Sequence, residues 1–214
     1  MNQWLIDRCR RASIKTATVW GIVFAIYAAA VVYNFADYGA EALWGVILIA
    51  VFLIWGLRAC KHLWDINEHP VVKRAASWGD PLGQSVAMKN DYESPQMKNR
   101  KGSRLSDRYI FREGFFSFNV IRIEDIAWAY KKIIKKRLNF IIPLGKDYEA
   151  VFIALGGDLE SQGSQKFVDD ALQFVSARNS WALYGYTDDI ARIFKQNPKE
   201  FAFTVMKARS GKTG

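Results

Sequence analysis

An unbroken stretch of uncharged, mostly apolar residues from Thr16 to Phe35 constrains this chain more than any other feature. At about 1.5 Å of rise per residue it makes a helix about 30 Å long, which is the thickness of a bilayer's hydrocarbon core. A second apolar run, Ala42 to Leu57, follows a short spacer that holds Asp37 and Glu41. At about 24 Å it is short for a span, but the bilayer thins locally and flanking charges snorkel outward. A buried helical hairpin in a soluble protein is the alternative, and it does not ordinarily run so far without a charge. The two runs predict a transmembrane hairpin with a first helix over 16–36, an external loop over 37–41 and a second helix over 42–58.

The flanks orient it. Arg8, Arg10, Arg11 and Lys15 precede the first run, Arg58 and Lys61 follow the second, and the spacer has no basic residue. Cytoplasmic loops carry the excess of Lys and Arg, so both termini are expected in the cytoplasm of an inner or plasma membrane, with 1–15 as the cytoplasmic N-terminus. Trp20, Tyr33, Tyr38, Trp44 and Trp55 lie where amphipathic rings favour the headgroup layer. Ala28-Ala29-Ala30 could serve as a signal-peptide cleavage site, but the run continues through Val31, Val32 and Tyr33, which favours a retained anchor. Gly21, Ala25, Ala28 and Ala29 permit close helix contact, and so a homo-oligomer or a place in a larger membrane complex through the hairpin.

The net charge is +9, most of it in the part that follows the hairpin. The nearest acidic partner for such a part is the bilayer itself, whose anionic headgroups attract juxtamembrane cations. Nucleic acid is not expected as a partner. The two cysteines, Cys9 and Cys60, make no disulfide framework. They fall just outside the cytoplasmic ends of the runs, where S-acylation occurs, or are simply small residues in a reducing compartment.

Beyond the hairpin, 59–104 reads as a juxtamembrane helix and an exposed connection with room for one short helix early in it. Pro70 suits a first helical turn, and Trp78-Gly79-Asp80-Pro81 is a stop. From Leu105 the period becomes strand-like. Tyr109 to Phe111, then Phe116, Phe118 and Val120, then Ile126 to Ile134, then Leu138 to Ile142, then Tyr148 to Leu155 predict an antiparallel meander, with turns at Glu113-Gly114, Pro143–Asp147 and Gly156-Gly157. Phe167, Val168, Ala171, Leu172 and Val175 form one stripe of a helix over 164–178. Trp181 to Tyr186 reads as a strand, Thr187 as the N-cap of a helix ending at Asn197-Pro198, and Phe201 to Ala208 as either helix or strand. The fold class is α+β, with a cytoplasmic domain over 105–208 and a disordered tail over 209–214.

Leu105-Ser106-Asp107-Arg108-Tyr109-Ile110-Phe111, Glu113-Gly114 and Ile123-Glu124-Asp125-Ile126 together resemble the core of bacterial pleckstrin-homology-like (PH-like) membrane proteins. In that family a strand, a glycine turn, a second strand and an I-x-D-I corner lead into a third strand, commonly after a membrane hairpin. The resemblance covers about 105–155. Residues 60–104 and Trp181 to Pro198 have no counterpart in it. The layout is equally similar to that of uncharacterised bacterial membrane proteins with a domain of unknown function. Neither resemblance supplies catalytic residues.

The densest cation cluster is Lys131, Lys132, Lys135, Lys136 and Arg137, around Ile133 and Ile134. On a hairpin tip these residues would bind lipid phosphates or an acidic protein partner. On an edge strand the same lysines would merely keep the edge from pairing with another chain. His62 and His69 are the only histidines and have no companions at metal-ligand spacing, so no metal or cofactor is expected. Lys212 in Ser210-Gly211-Lys212-Thr213 mimics the end of a phosphate loop, but Met206 stands where its first glycine belongs. The adjacent pairs Asp169-Asp170 and Asp188-Asp189 point about 100° apart on helices and do not make carboxylate dyads.

The expectation is a non-enzymatic membrane-anchored protein whose cytoplasmic domain binds a protein partner or an anionic lipid surface. Two alternatives remain: a membrane-anchored enzyme drawing on scattered residues such as Asp107, Asp158 and Asp188, or an accessory subunit of a membrane complex.

Overall fold

A computed structural model describes residues 3–38, 50–51, 54, 63, 65–79, 81–138 and 142–210. The chain forms two compact units: Met1–Ser85 with Phe115–Phe118, and Val86–Gly114 with Asn119–Gly214. The architecture is α+β, with a long N-terminal helix, antiparallel sheets and C-terminal helices.

In the first unit, helix α1 runs from Gln3 to Tyr38. It therefore takes in most of the expected N-terminal segment and the start of the expected external loop. Gly21 is its weakest helix former, and no charge interrupts it between Lys15 and Asp37. Leu5, Ile6, Cys9 and Ala12 are buried, and α1 touches the 3₁₀ turn Ile66–Glu68 and α2 (Pro70–Ala76). From Ile14 onward its large side chains Val19, Ile22, Val23, Ile26 and Val32 are exposed. By length and composition Gln3–Tyr33 can cross a membrane, with a mean hydropathy of 1.8 over an apolar window of which none is buried.

It is the only such helix among the described residues, so a single candidate span stands where two were expected. The expected second span, 42–58, lies outside the described residues apart from Ala50, Val51 and Ile54, which are helical. His62, Cys60 and 211–214, with Lys212, also lie outside. Pro70 does occupy the first turn of α2, where the Nδ1 of His69 accepts from the Val71 N–H at 3.3 Å.

Within the expected connection over 81–104 the structure has a helix followed by two short strands. Helix α3 (Pro81–Glu93) carries buried Met88 and Tyr92, and β1 (Met97–Lys98) and β2 (Ser103–Leu105) follow. With β3 (Tyr109–Glu113) and β4 (Phe118–Arg122) they form a four-stranded sheet in chain order. After a 3₁₀ turn at Ile123–Asp125 come β5 (Ile126–Leu138), β6 (Ile142–Ala154) and β7 (Gly157–Gly163). Helix α4 (Gln165–Arg178), β8 (Leu183–Tyr184), α5 (Asp188–Gln196) and α6 (Pro198–Ser210) complete the chain. The second sheet has the order β7-β6-β5-β8, antiparallel except for β8, which runs parallel to β5. One meander was expected and two sheets are present, because the 3₁₀ corner ends β4 and begins β5 afresh.

Side chains alternate across β5, so each face of the second sheet has its own layer. Ala129, Ala150, Phe152 and Leu159 pack with Leu105, Ile110 and Ile121 and with Val168, Ala171 and Val175 of α4. Trp128, Val151 and Ile153 pack on the opposite face with Ala191 of α5 and Phe201 of α6. Ser164 caps α4, its Oγ accepting from the Phe167 N–H at 3.2 Å, and Thr187 caps α5 in the same way. The ambiguous 201–208 is helical.

Asn179 follows α4 and ties its end to the 3₁₀ corner that opens β5. Its Nδ2 donates to the Ile123 and Ile126 carbonyls at 2.6 and 3.0 Å, and its Oδ1 accepts from the Ala182 N–H at 3.2 Å. The side chain is 1% exposed. Asn179→Ala would leave those buried groups unpaired and is expected to cost about 2 kcal/mol. Chemical unfolding of the purified chain measures it; a cost within error of zero would mean that water replaces the amide.

Candidate basic arm

Strands β5 and β6 pair along their whole length, from Ile126 opposite Ala154 to Leu138 opposite Ile142. Their neighbours stop earlier. Strand β7 pairs with β6 only as far as Tyr148, and β8 reaches only Trp128 and Ala129 of β5. Beyond those points, 134–138 and 142–147 continue as a two-stranded arm that carries Lys135, Lys136 and Arg137, while Lys131 and Lys132 lie at its base, where β7 still pairs with β6. Its connecting residues, 139–141, lie outside the described residues. The expected turn at Pro143–Asp147 is therefore strand: Pro143 faces Arg137 and Lys146 faces Lys135. A register shift at Lys136/Arg137 accommodates the proline and glycine, which an irregular two-stranded ribbon tolerates.

The pleat divides the cluster. Lys131, Ile133 and Lys135 share one face, Lys132, Ile134 and Lys136 the other. Lys131 reaches Asp169 of α4 at 2.7 Å. Lys132 lies between Glu160 at 3.0 Å and Glu149 at 3.2 Å, and the hydrogen bonds to these two carboxylates raise its pKa above the ordinary lysine value. Lys136 pairs with Asp147 at 2.7 Å and holds that carboxyl below its usual range. Gln162 donates to the same carboxylate at 2.9 Å. Three of the five proposed cations are thus balanced within the fold by carboxylates from β6, β7 and α4. The Arg137 side chain lies outside the described residues.

Lys135 is different. It is exposed, and its cross-strand partner is Lys146, also exposed; neither has an ion-pair partner among the described residues. Like charges directly opposite on a ladder have Cβ atoms about 5 Å apart and destabilise it. An anion placed between them converts that repulsion into binding. Lys146 was hidden in the sequence because it reads as part of a turn, and only the register puts it on this site.

The carboxylates considered for catalysis do not meet. Asp107 is bound by Arg178 at 2.7 Å, which lowers its pKa. Asp158 lies on the rim of an apolar cavity of about 550 Å³, lined by Ile153, Leu155, Phe194, Ala202 and Phe203 among others. Asp188 lies in a smaller pocket with Tyr186, Arg192 and Lys195. Asp169 and Asp189 each hold a cation, Lys131 and Arg192. No group of three or more His, Cys, Asp or Glu is placed to hold a metal among the described residues. The Ile123–Ile126 corner is tied by Arg122, which holds Asp125 through two hydrogen bonds of 2.9 and 2.8 Å.

Compared with protein-family models, with curated proteins and with solved structures, the chain matches none.

Proposed function

We propose that this chain is a membrane-anchored, non-enzymatic binding protein whose domain holds an anionic lipid surface through the β5–β6 arm. The opposed, exposed pair Lys135 and Lys146 carries the reading. A domain tethered by α1 meets lipid headgroups before any other polyanion, and each juxtamembrane cation near them is worth about 1 kcal/mol. In this reading α1 is a retained anchor, Ala42 to Leu57 returns the chain, and both termini are cytoplasmic. The PH-like resemblance is supported by the run of strands followed by α4, which packs on β5, β6 and β7; β8, α5 and α6 are additions to that layout.

The test uses the full chain in nanodiscs of either zwitterionic or anionic phospholipid. Amide hydrogen exchange over 131–138 and 142–148 should slow in the anionic discs alone. The double variant K135E/K146E should abolish the difference while leaving exchange in α4 unchanged. Identical exchange of the arm in the two lipids would refute the reading.

A further inference from the structure

The segment that joins β3 to β4 is Gly114-Phe115-Phe116-Ser117, and its two phenylalanines are 67% and 47% exposed. A short turn between strands is ordinarily polar, because nothing covers it. Here the rings pack only partly, edge to face, with centroids 4.6 Å apart. The segment 115–118 belongs to the same compact unit as α1. Three contacts fix it there. The Thr16 Oγ1 lies between two carbonyls that share its proton, that of Ala12 at 3.0 Å and that of Phe116 at 3.2 Å. The Lys15 Nζ stands over the Phe115 ring, 5.1 Å from its centroid. Trp4 meets Phe118 edge to face at 5.9 Å.

The place of attachment matters. Lys15 is the last charge before the apolar run and Thr16 is its first residue. Up to this level α1 carries buried side chains, and beyond it Val19, Ile22, Val23 and Ile26 are exposed. The aromatic tip is therefore pinned where the helix passes from polar to apolar surroundings. In a bilayer that level is the headgroup layer, which aromatic rings prefer, and where an ammonium can lie between a ring face and a lipid phosphate.

We propose that Phe115 and Phe116 insert into the interfacial layer of the bilayer beside α1, giving the protein a second point of membrane contact. The proposal rests on α1 being a membrane helix. A soluble partner or a second copy of the chain would have to reach a surface that the bilayer already occupies.

The experiment places a photoreactive residue at the tip and, separately, in the span. Full-length Phe115→p-benzoyl-phenylalanine and Ile26→p-benzoyl-phenylalanine are reconstituted in phospholipid nanodiscs, irradiated and analysed by mass spectrometry. Both positions are exposed, so both variants should fold. The expected result is a mass gain of one phospholipid from each. Lipid adducts from position 26 without any from 115 would overturn the tip proposal and leave the anchor intact. Cross-links from 115 to a second copy or to a co-purifying protein would overturn it as well. Absence of lipid from both positions would overturn the anchor reading and this proposal together.

Discussion

Trp128→Ala is expected to remove about 4 kcal/mol of stability, the usual scale for truncating a large buried aromatic. Trp128 is 1% exposed. Its ring lies 4.4 Å from that of Tyr130, 5.8 Å from Phe194 and 5.9 Å from Phe201, so one side chain of β5 holds α5 and α6 to the sheet. Its Nε1 donates to the Gly185 carbonyl at 2.7 Å and fixes the segment that enters α5. The loss should be regional as well as global. Limited proteolysis is expected to cut within 185–210 first, while unfolding of the purified chain in detergent reports the total. Trp128→Phe keeps much of the packing and loses only the hydrogen bond, so it should cost about 1 kcal/mol beyond the change in volume. If the alanine variant lost less than the phenylalanine variant, Trp128 would not be the organising residue of that layer.

Gly102→Ala should be the second most damaging single change, at about 3 kcal/mol. Gly102 closes the turn between β1 and β2 with φ +85°, in the left-handed region that costs a residue with a side chain about 1–2 kcal/mol. An added Cβ would also lie 1.9 Å from the backbone oxygen of Glu113. That oxygen cannot withdraw cheaply, because the Glu113 N–H donates to the Gly102 carbonyl at 2.9 Å and the two segments are locked together. Gly145 is the control. Its φ is +112°, but a Cβ there meets nothing within 4 Å, so Gly145→Ala pays only for strain, about 1 kcal/mol. Equal losses for the two variants, measured by chemical unfolding, would show that the contact with Glu113 relaxes.

What could be read from the sequence was what local chemistry decides. Thr187 and Pro70 mark helix starts because a cap or a fixed φ acts within one turn, and the stripe from Phe167 to Val175 needs only the helical period. What could not be read depends on distant partners. Strand β7, Gly-Asp-Leu-Glu-Ser-Gln-Gly, has one large apolar residue and no β-branched one; it is a strand because β6 offers it a ladder. Pro143 and Gly145 are turn residues by composition, yet the register of β5 carries them into the arm.

The same division holds at the site. The lysine cluster is plain in the sequence. Which of its members are already balanced is decided by Asp147, Glu149, Glu160 and Asp169, brought from β6, β7 and α4. The fold therefore balances Lys131, Lys132 and Lys136, leaves Lys135 exposed and sets Lys146 opposite it.

The contact between Thr16 and Phe116 spans 100 residues of chain. At about 5–20 residues per second a ribosome needs about 5–20 s to travel that far. Helix α1 has therefore left the ribosome well before the tip that docks on it exists. The unit they share must wait, half made, while Val86 to Gly114 is synthesised. A fragment that begins after α1 would never complete it, so α1 is a structural part of this unit.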